Sequence, residues 1–252
     1  MIVTLLTDYG LADTYVGQVK AAILRIAPAA VLVDLTHNVP PQDVCAGAFL
    51  LWTAVPAFAP DTIHVAVVDP GVGTRRRAVA IKSRRGDVFV GPDNGLLVPA
   101  AERLGAIESA VELTDERYWG RERSSTFHGR DVFGPVAGHL ANGVLLSEFG
   151  RAVEVDRSIQ IPKPRGLEGE VIHVDAFGNL VTNFPATSLP ASFAVEIAGR
   201  IIEDAPHPHF QAVAPGELCA VIGSAGLLEI CARDGSAAPV LAAGRGSRVK
   251  IR

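Results

Sequence analysis

The first 150 residues alternate between two hydrophobic periods. Residues 2–6 are a short apolar run that predicts a strand ending in Thr7-Asp8-Tyr9-Gly10. Val16, Val19, Ile23 and Ile26 then recur at helical spacing, with Asp13 placed to cap the helix and Pro28 to stop it. Residues 31–35 predict the next strand, and residues 43–55 a helix with Val44, Ala48, Leu51 and Val55 on one face. Residues 63–68 are apolar and rich in β-branched side chains, the mark of a buried strand. Strand, helix, strand, helix, strand predicts an α/β domain with a mostly parallel sheet.

Further along, residues 78–81 and 88–90 read as a hairpin joined by the polar segment 82–87. Pro92-Asp93-Asn94-Gly95 opens a helix running to about Leu104, with Gly105 suited to its C-terminal cap. Residues 114–126 have no hydrophobic period and predict a surface loop. That loop delivers Phe127-His128-Gly129-Arg130-Asp131 to a helix marked by Val132, Val136, His139 and Leu140.

The proline-rich run 159–166 cannot continue a helix and suits an extended linker. Beyond it the pattern becomes short strands at 170–174, 194–197, 218–222, 227–230, 240–241 and 249–251, with no long amphipathic helix between them. The expected organisation is an N-terminal α/β domain over 1–158, a linker over 159–168, and a small antiparallel β-barrel-like domain over 169–252.

Composition narrows the function classes. With 48% hydrophobic and 20% charged residues, the 252-residue chain has ample core material and is not disordered. A net charge of -4 gives no footprint for nucleic acid, and the run Arg75-Arg76-Arg77 is too short to reverse that. No stretch approaches a membrane span, and the start MIVTLLTDYG enters a strand directly, so a cytoplasmic location is expected. Cys45, Cys219 and Cys231 lie in apolar surroundings without zinc-site spacing and are expected to be buried, reduced thiols.

The candidate chemistry stands at strand ends. Asp69 closes the 63–68 run, where Pro70, Gly71 and Gly73 force a tight turn, and Arg76 follows within the arginine run. Ligands of open α/β sheets bind beyond the carboxyl ends of the strands. Asp8 ends the first strand in the same manner, and His128 sits on a loop. Asp with His can orient a proton acceptor, and a nearby Arg favours an anionic nucleophile or holds the carboxylate ionised. The bland alternative is an Asp-Pro-Gly turn that only stops a strand. Asp8 alone suits a helix N-terminal anion, a ribose-diol acceptor or a phosphatase nucleophile, although Gly10 occupies the place of the second Asp the last would want. A metal held by Asp8, Asp69 and His128 is conceivable, but no ligand pair has helical or finger spacing. His37, His64, His139 and His173 read as structural or surface residues. Phosphate-loop, dinucleotide-fingerprint, nucleophile-elbow and zinc-protease motifs do not occur.

Six segments, in order, carry a resemblance: Thr7-Asp8-Tyr9-Gly10, residues 68–74 (VDPGVGT), 91–97 (GPDNGLL), 126–131 (TFHGRD), 175–183 (DAFGNLVTN) and 226–230 (GLLEI). Together they resemble the S-adenosylmethionine hydrolases (adenosine-forming), relatives of the S-adenosylmethionine-dependent fluorinase and chlorinase. The resemblance implies a homotrimer with active sites between subunits, needing no cofactor or metal. It assigns Asp69, Arg76 and His128 to binding and activating the water that attacks C5′ of the ribose and expels methionine, leaving adenosine. It assigns Asp8 to the ribose hydroxyls and Asp175 and Asn179 to the methionine and adenine ends. Ser224, Glu229 and the backbone near Ala232 would close the site from the second domain. A halogenase of this family would carry Tyr in place of Asp69, a different pair in place of His128-Gly129 and, in fluorinases, a longer insertion after the central turn, so halide transfer is disfavoured. The remaining rival is a non-catalytic adenosine or S-adenosylmethionine binding protein.

Overall fold

A computed structural model describes all residues, 1–252. The chain divides into two compact units, Met1–Gln160 and Ile161–Arg252. In the first, six strands form one sheet: β1 (Ile2–Thr7), β2 (Val31–Thr36), β3 (Ile63–Val67), β4 (Ala78–Ser83), β5 (Val88–Pro92) and β6 (Ile107–Glu112), in the order β2-β1-β3-β5-β4-β6. β1 pairs in parallel with β2 and β3, and β3 with β5, whereas β4 runs antiparallel to both β5 and β6. Four helices cover the sheet: α1 (Tyr15–Ile26), α2 (Val44–Ala54), α3 (Val98–Arg103) and α4 (Gly134–Ala141).

The period of two along each strand decides which helices it meets. Val3 and Leu5 of β1, with Ile63, Val65 and Val67 of β3, pack with Val19 and Ile23 of α1 and Val136 and Leu140 of α4. Leu6, Ala66 and Val68 point the other way, toward Ala48 and Leu51 of α2 and Ala100 and Ala101 of α3. With both faces covered, β3 must be apolar throughout, and all five of its residues are buried. His64, the polar residue in that strand, hydrogen-bonds through Nδ1 to Thr4 Oγ1 at 2.7 Å.

The second unit is a seven-stranded antiparallel sheet of β7 (Glu168–Val174), β8 (Leu180–Pro185), β9 (Phe193–Ile197), β10 (Arg200–Ala205), β11 (Leu218–Ile222), β12 (Leu227–Ala232) and β13 (Arg248–Ile251). It runs β10-β9-β13-β7-β8-β12-β11, and a bridge from His207 to Val221 nearly closes it into a barrel. Phe193, Val195 and Ile197 of β9 and Val249 and Ile251 of β13 alternate into its interior.

Several expectations are corrected. Residues 240–241 are not a strand but the end of a short helix, α5 (Ala237–Leu241), because two apolar residues cannot distinguish a period of two from one of 3.6. Asp13 does not cap α1: Thr14 occupies the N-cap position, and no side chain bonds the first turn. The helix expected from Pro92 begins only at Val98, since β5 extends through Pro92 and the following residues turn. Cys45 is exposed, one position off the α2 face that carries Val44, Ala48 and Leu51, whereas Cys219 and Cys231 are buried and face each other across β11 and β12. The edge strands β6 and β10 and the strand β8 were not anticipated.

Candidate active site

Strand order sets the location. β2 lies on one side of β1 and β3 on the other, so the chain reverses direction across the sheet between β1 and β3, the switch point where open α/β sheets bind ligands. Thr7 pairs with Val67 in the parallel register, so Asp8 and Asp69 emerge from the same end of adjacent strands.

The turn after β3 folds back on itself. Pro70 has no N–H to extend the ladder. Val72 N–H then bonds Asp69 O at 3.2 Å and Thr74 N–H bonds Gly71 O at 3.1 Å, two successive turns that return Arg76 to Asp69. Gly73 has φ +77°, and a Cβ there would meet Ser125 O at 2.5 Å, so both its backbone conformation and its surroundings demand glycine. Of the three arginines, Arg75 is exposed, and Arg77 donates to Asp93 Oδ2 at 2.8 Å and to Glu154 O at 2.8 Å. Arg76 alone faces the site. Its Nε donates to Asp69 Oδ1 at 2.9 Å, its Nη2 to Asp69 Oδ2, and the same Nη2 to His128 Nδ1 at 2.9 Å. Phe133 lies beneath the guanidinium, 5.3 Å from ring centroid to Cζ.

His128 enters from the end of the 114–126 loop, just before a π-helical turn over Gly129–Phe133 in which Gly134 N–H reaches back to Gly129 O. Such wide turns insert one residue into a helix, and here the insertion lets His128 and Phe133 both address Arg76. Gly129 lies against Tyr9, and a Cβ there would stand 2.5 Å from the Tyr9 hydroxyl. Asp131, buried, accepts from Ser124 N–H at 2.8 Å and from Arg130 Nε at 2.6 Å, tying the loop to the helix.

An arginine has no acceptor, so its bond to His128 fixes Nδ1 as the acceptor and leaves the proton of the neutral ring on Nε2. Burial, and then the Arg76 charge, hold the His128 pKa below its ordinary value, consistent with a neutral imidazole. Burial and the carboxylates of Asp8 and Asp69 push the Tyr9 phenol upward, which keeps it a neutral donor.

Asp8, Asp69 and His128 line one cavity of about 540 Å³, together with Tyr9, Tyr15, Gln42, Phe127 and Arg130 among others. Tyr9, Tyr15 and Phe127 meet edge to face, with centroids 5.3 to 6.0 Å apart, and form an aromatic wall. The strand-end carboxylates, the arginine and the histidine singled out from the sequence thus converge. The aromatic wall, Gln42 and Phe133 were not singled out. The TDYG and TFHG segments contained the first hint of the aromatics, while nothing in the sequence marks the other two.

The remaining candidates lie in the second unit. Asp175 accepts from Phe177 N–H at 2.9 Å and Asn179 N–H at 2.8 Å through Oδ1, and from Asn179 Nδ2 at 2.8 Å through Oδ2. Gly178, with φ +80°, completes this turn, and a Cβ there would collide with Ser236. Glu229 is half-buried on β12; burial first, and the Asp175 charge second, raise its pKa. Ser224 is exposed in the turn between β11 and β12, and Ala232 is buried at the end of β12. No group of three or more His, Cys, Asp or Glu side chains is disposed to hold a metal ion.

Comparison with known proteins gives consistent findings. The chain is 44% identical over 258 residues to the (R)-S-adenosyl-L-methionine hydrolase of Salinispora arenicola, covering 97% of this chain and 95% of that protein. It is 39% identical over 254 residues to the (R)-S-adenosyl-L-methionine hydrolase of Thermus thermophilus, covering 98% and 97%. The crystal structure of an uncharacterized conserved protein from Thermotoga maritima superposes with a TM-score of 0.92 at 37% identity over 100% of both chains. Residues 3–150 match the N-terminal domain and residues 169–250 the C-terminal domain of the SAM hydroxide adenosyltransferases, and the chain belongs to that family.

Proposed function

We propose that the protein hydrolyses S-adenosyl-L-methionine to adenosine and L-methionine. The observation that carries this reading is the Asp69–Arg76–His128 cluster opening, beside Asp8, into a single cavity at the sheet's switch point. The leaving group is a sulfonium, so it departs as a neutral thioether and needs no acid. The demand falls on the nucleophile. Water donates one hydrogen to the Asp69 carboxylate and receives the His128 Nε2–H, which aims its free lone pair at C5′. As the C5′–O bond forms, the C5′–S electron pair moves to sulfur, and the water proton leaves through Asp69 to solvent. Arg76 offsets the anionic character that develops, and its fork fixes both partners.

Asp8 is assigned to the ribose diol. Asp175, Asn179, Ser224, Glu229 and the Ala232 backbone are assigned to the methionine and adenine ends, supplied by the second unit across a subunit boundary of a homotrimer. The linker is placed at 159–168, between domains 1–158 and 169–252. A cytoplasmic location belongs to the same reading. Incubation with S-adenosylmethionine in oxygen-18 water, followed by mass spectrometry, tests the reading: 5′-labelled adenosine with unlabelled methionine is expected. Saturable binding with unchanged substrate would replace it with the binding-protein reading.

A further inference from the structure

Gln42 has φ +65°, in the left-handed region that is strained for a non-glycine residue. The conformation is imposed from both sides. Pro40 and Pro41 restrict the approach, and Asp43 N–H bonds Pro40 O at 3.0 Å. Asp43 then caps α2 by accepting from Ala46 N–H at 2.9 Å. The loop is also stitched to the end of β1: Gly10 N–H bonds His37 O at 2.7 Å, Val39 N–H bonds Thr7 O at 3.3 Å, and Thr7 Oγ1 meets His37 Nδ1 at 2.8 Å. What this bracing achieves is one contact at the cavity wall. Gln42 N–H donates to Asp8 Oδ2 at 2.9 Å.

We infer that Gln42 is a positioning residue, whose strained backbone N–H fixes the Asp8 carboxylate so that Oδ1 is presented to the cavity to accept a vicinal diol. A carboxylate on a short side chain can otherwise rotate about χ2 and offer either oxygen at variable angles. With Oδ2 anchored, the plane of the group is set, and the discrimination between a ribose and a deoxyribose depends on the anchor as well as on Asp8. A bond to an ionised group is among the stronger hydrogen bonds, so losing it matters at the tenfold level or more. The inference rests on the ribose role assigned to Asp8, but not on catalysis.

The test is equilibrium binding of adenosine and of 2′-deoxyadenosine by calorimetry to the full-length protein, its Gln42→Gly variant and its Gln42→Val variant. Glycine adopts the left-handed conformation freely and keeps the N–H, whereas a β-branched residue resists it and draws the loop away. The preference for adenosine is expected to fall at least tenfold with Gln42→Val, because adenosine loses the bonds of both hydroxyls while deoxyadenosine, which keeps only the 3′-hydroxyl, loses less, and to fall no more than threefold with Gln42→Gly. Equal weakening of both nucleosides by Gln42→Val, or a preserved preference, overturns the inference alone. A parent protein that does not distinguish the two nucleosides overturns the Asp8 assignment and the inference with it.

Discussion

Arg76→Lys retains the charge at the centre of the site and removes its shape. The guanidinium spans two partners, gripping both oxygens of Asp69 while Nη2 also donates to His128 Nδ1 at 2.9 Å, and it lies over Phe133. A single ammonium can hold Asp69 or His128 but cannot reproduce the planar fork. One hydrogen bond to a charged group is worth about 1.5–3 kcal/mol, and the ring contact adds about 0.5–1 kcal/mol. The expected loss is thus about 2–4 kcal/mol, or roughly 30- to 700-fold in kcat/KM at about 1.4 kcal/mol per decade. Because Asp69 keeps a cationic neighbour, it is not left as an unpaired buried charge, and the folded state should lose only about 1 kcal/mol, a shift of about 2–4 °C in Tm. The assay is the rate of adenosine release against substrate concentration, with a thermal melt of the same preparation. An Arg76→Lys variant within threefold of the parent in kcat/KM would refute the argument that the fork organises the nucleophile. A Tm collapse would show instead that the cluster serves chiefly to hold the fold.

Gly129→Ala is expected to destabilise by about 1–3 kcal/mol, since its Cβ would stand 2.5 Å from the Tyr9 hydroxyl, and Tyr9→Phe should restore most of that loss because the ring carbons behind it are 3.4 Å away. Additive losses in a denaturation double-mutant cycle would contradict the contact. The depressed His128 pKa predicts an acid limb in kcat/KM centred below the ordinary value of 6.5. The folded pKa lies under the unfolded one, so the group's contribution to stability is complete above about pH 6.5 and is lost as pH falls through the folded value. His128→Asn should flatten that limb in a pH–rate profile, and a limb that persists would assign it elsewhere.

Asp69 was legible because a buried parallel strand leaves an unmistakable apolar run, and whatever follows it must sit at a carboxyl end. Asp8 was legible for the same reason. β8 escaped because the buried polar residues Thr182 and Asn183 interrupt its apolar run, leaving neither the continuous hydrophobic stretch of β3 nor an alternation to read. β6 and β10 escaped because edge strands carry charged residues such as Glu108, Glu112 and Arg200, which dilute the pattern.

By itself, the sequence determined what local chemistry dictates: the order of strands and helices in the first unit, the change to short strands after the proline-rich segment, and the residue types at strand ends. Only the tertiary structure decided which arginine of three turns inward, because Arg75, Arg76 and Arg77 have the same chemistry, and the path of two consecutive turns selects among them. It decided the protonated nitrogen of His128 through a contact made 52 residues away in sequence. It likewise decided the role of Gln42, whose backbone angle is set by the loop's attachments at both ends and leaves no trace in the side chain that the sequence records.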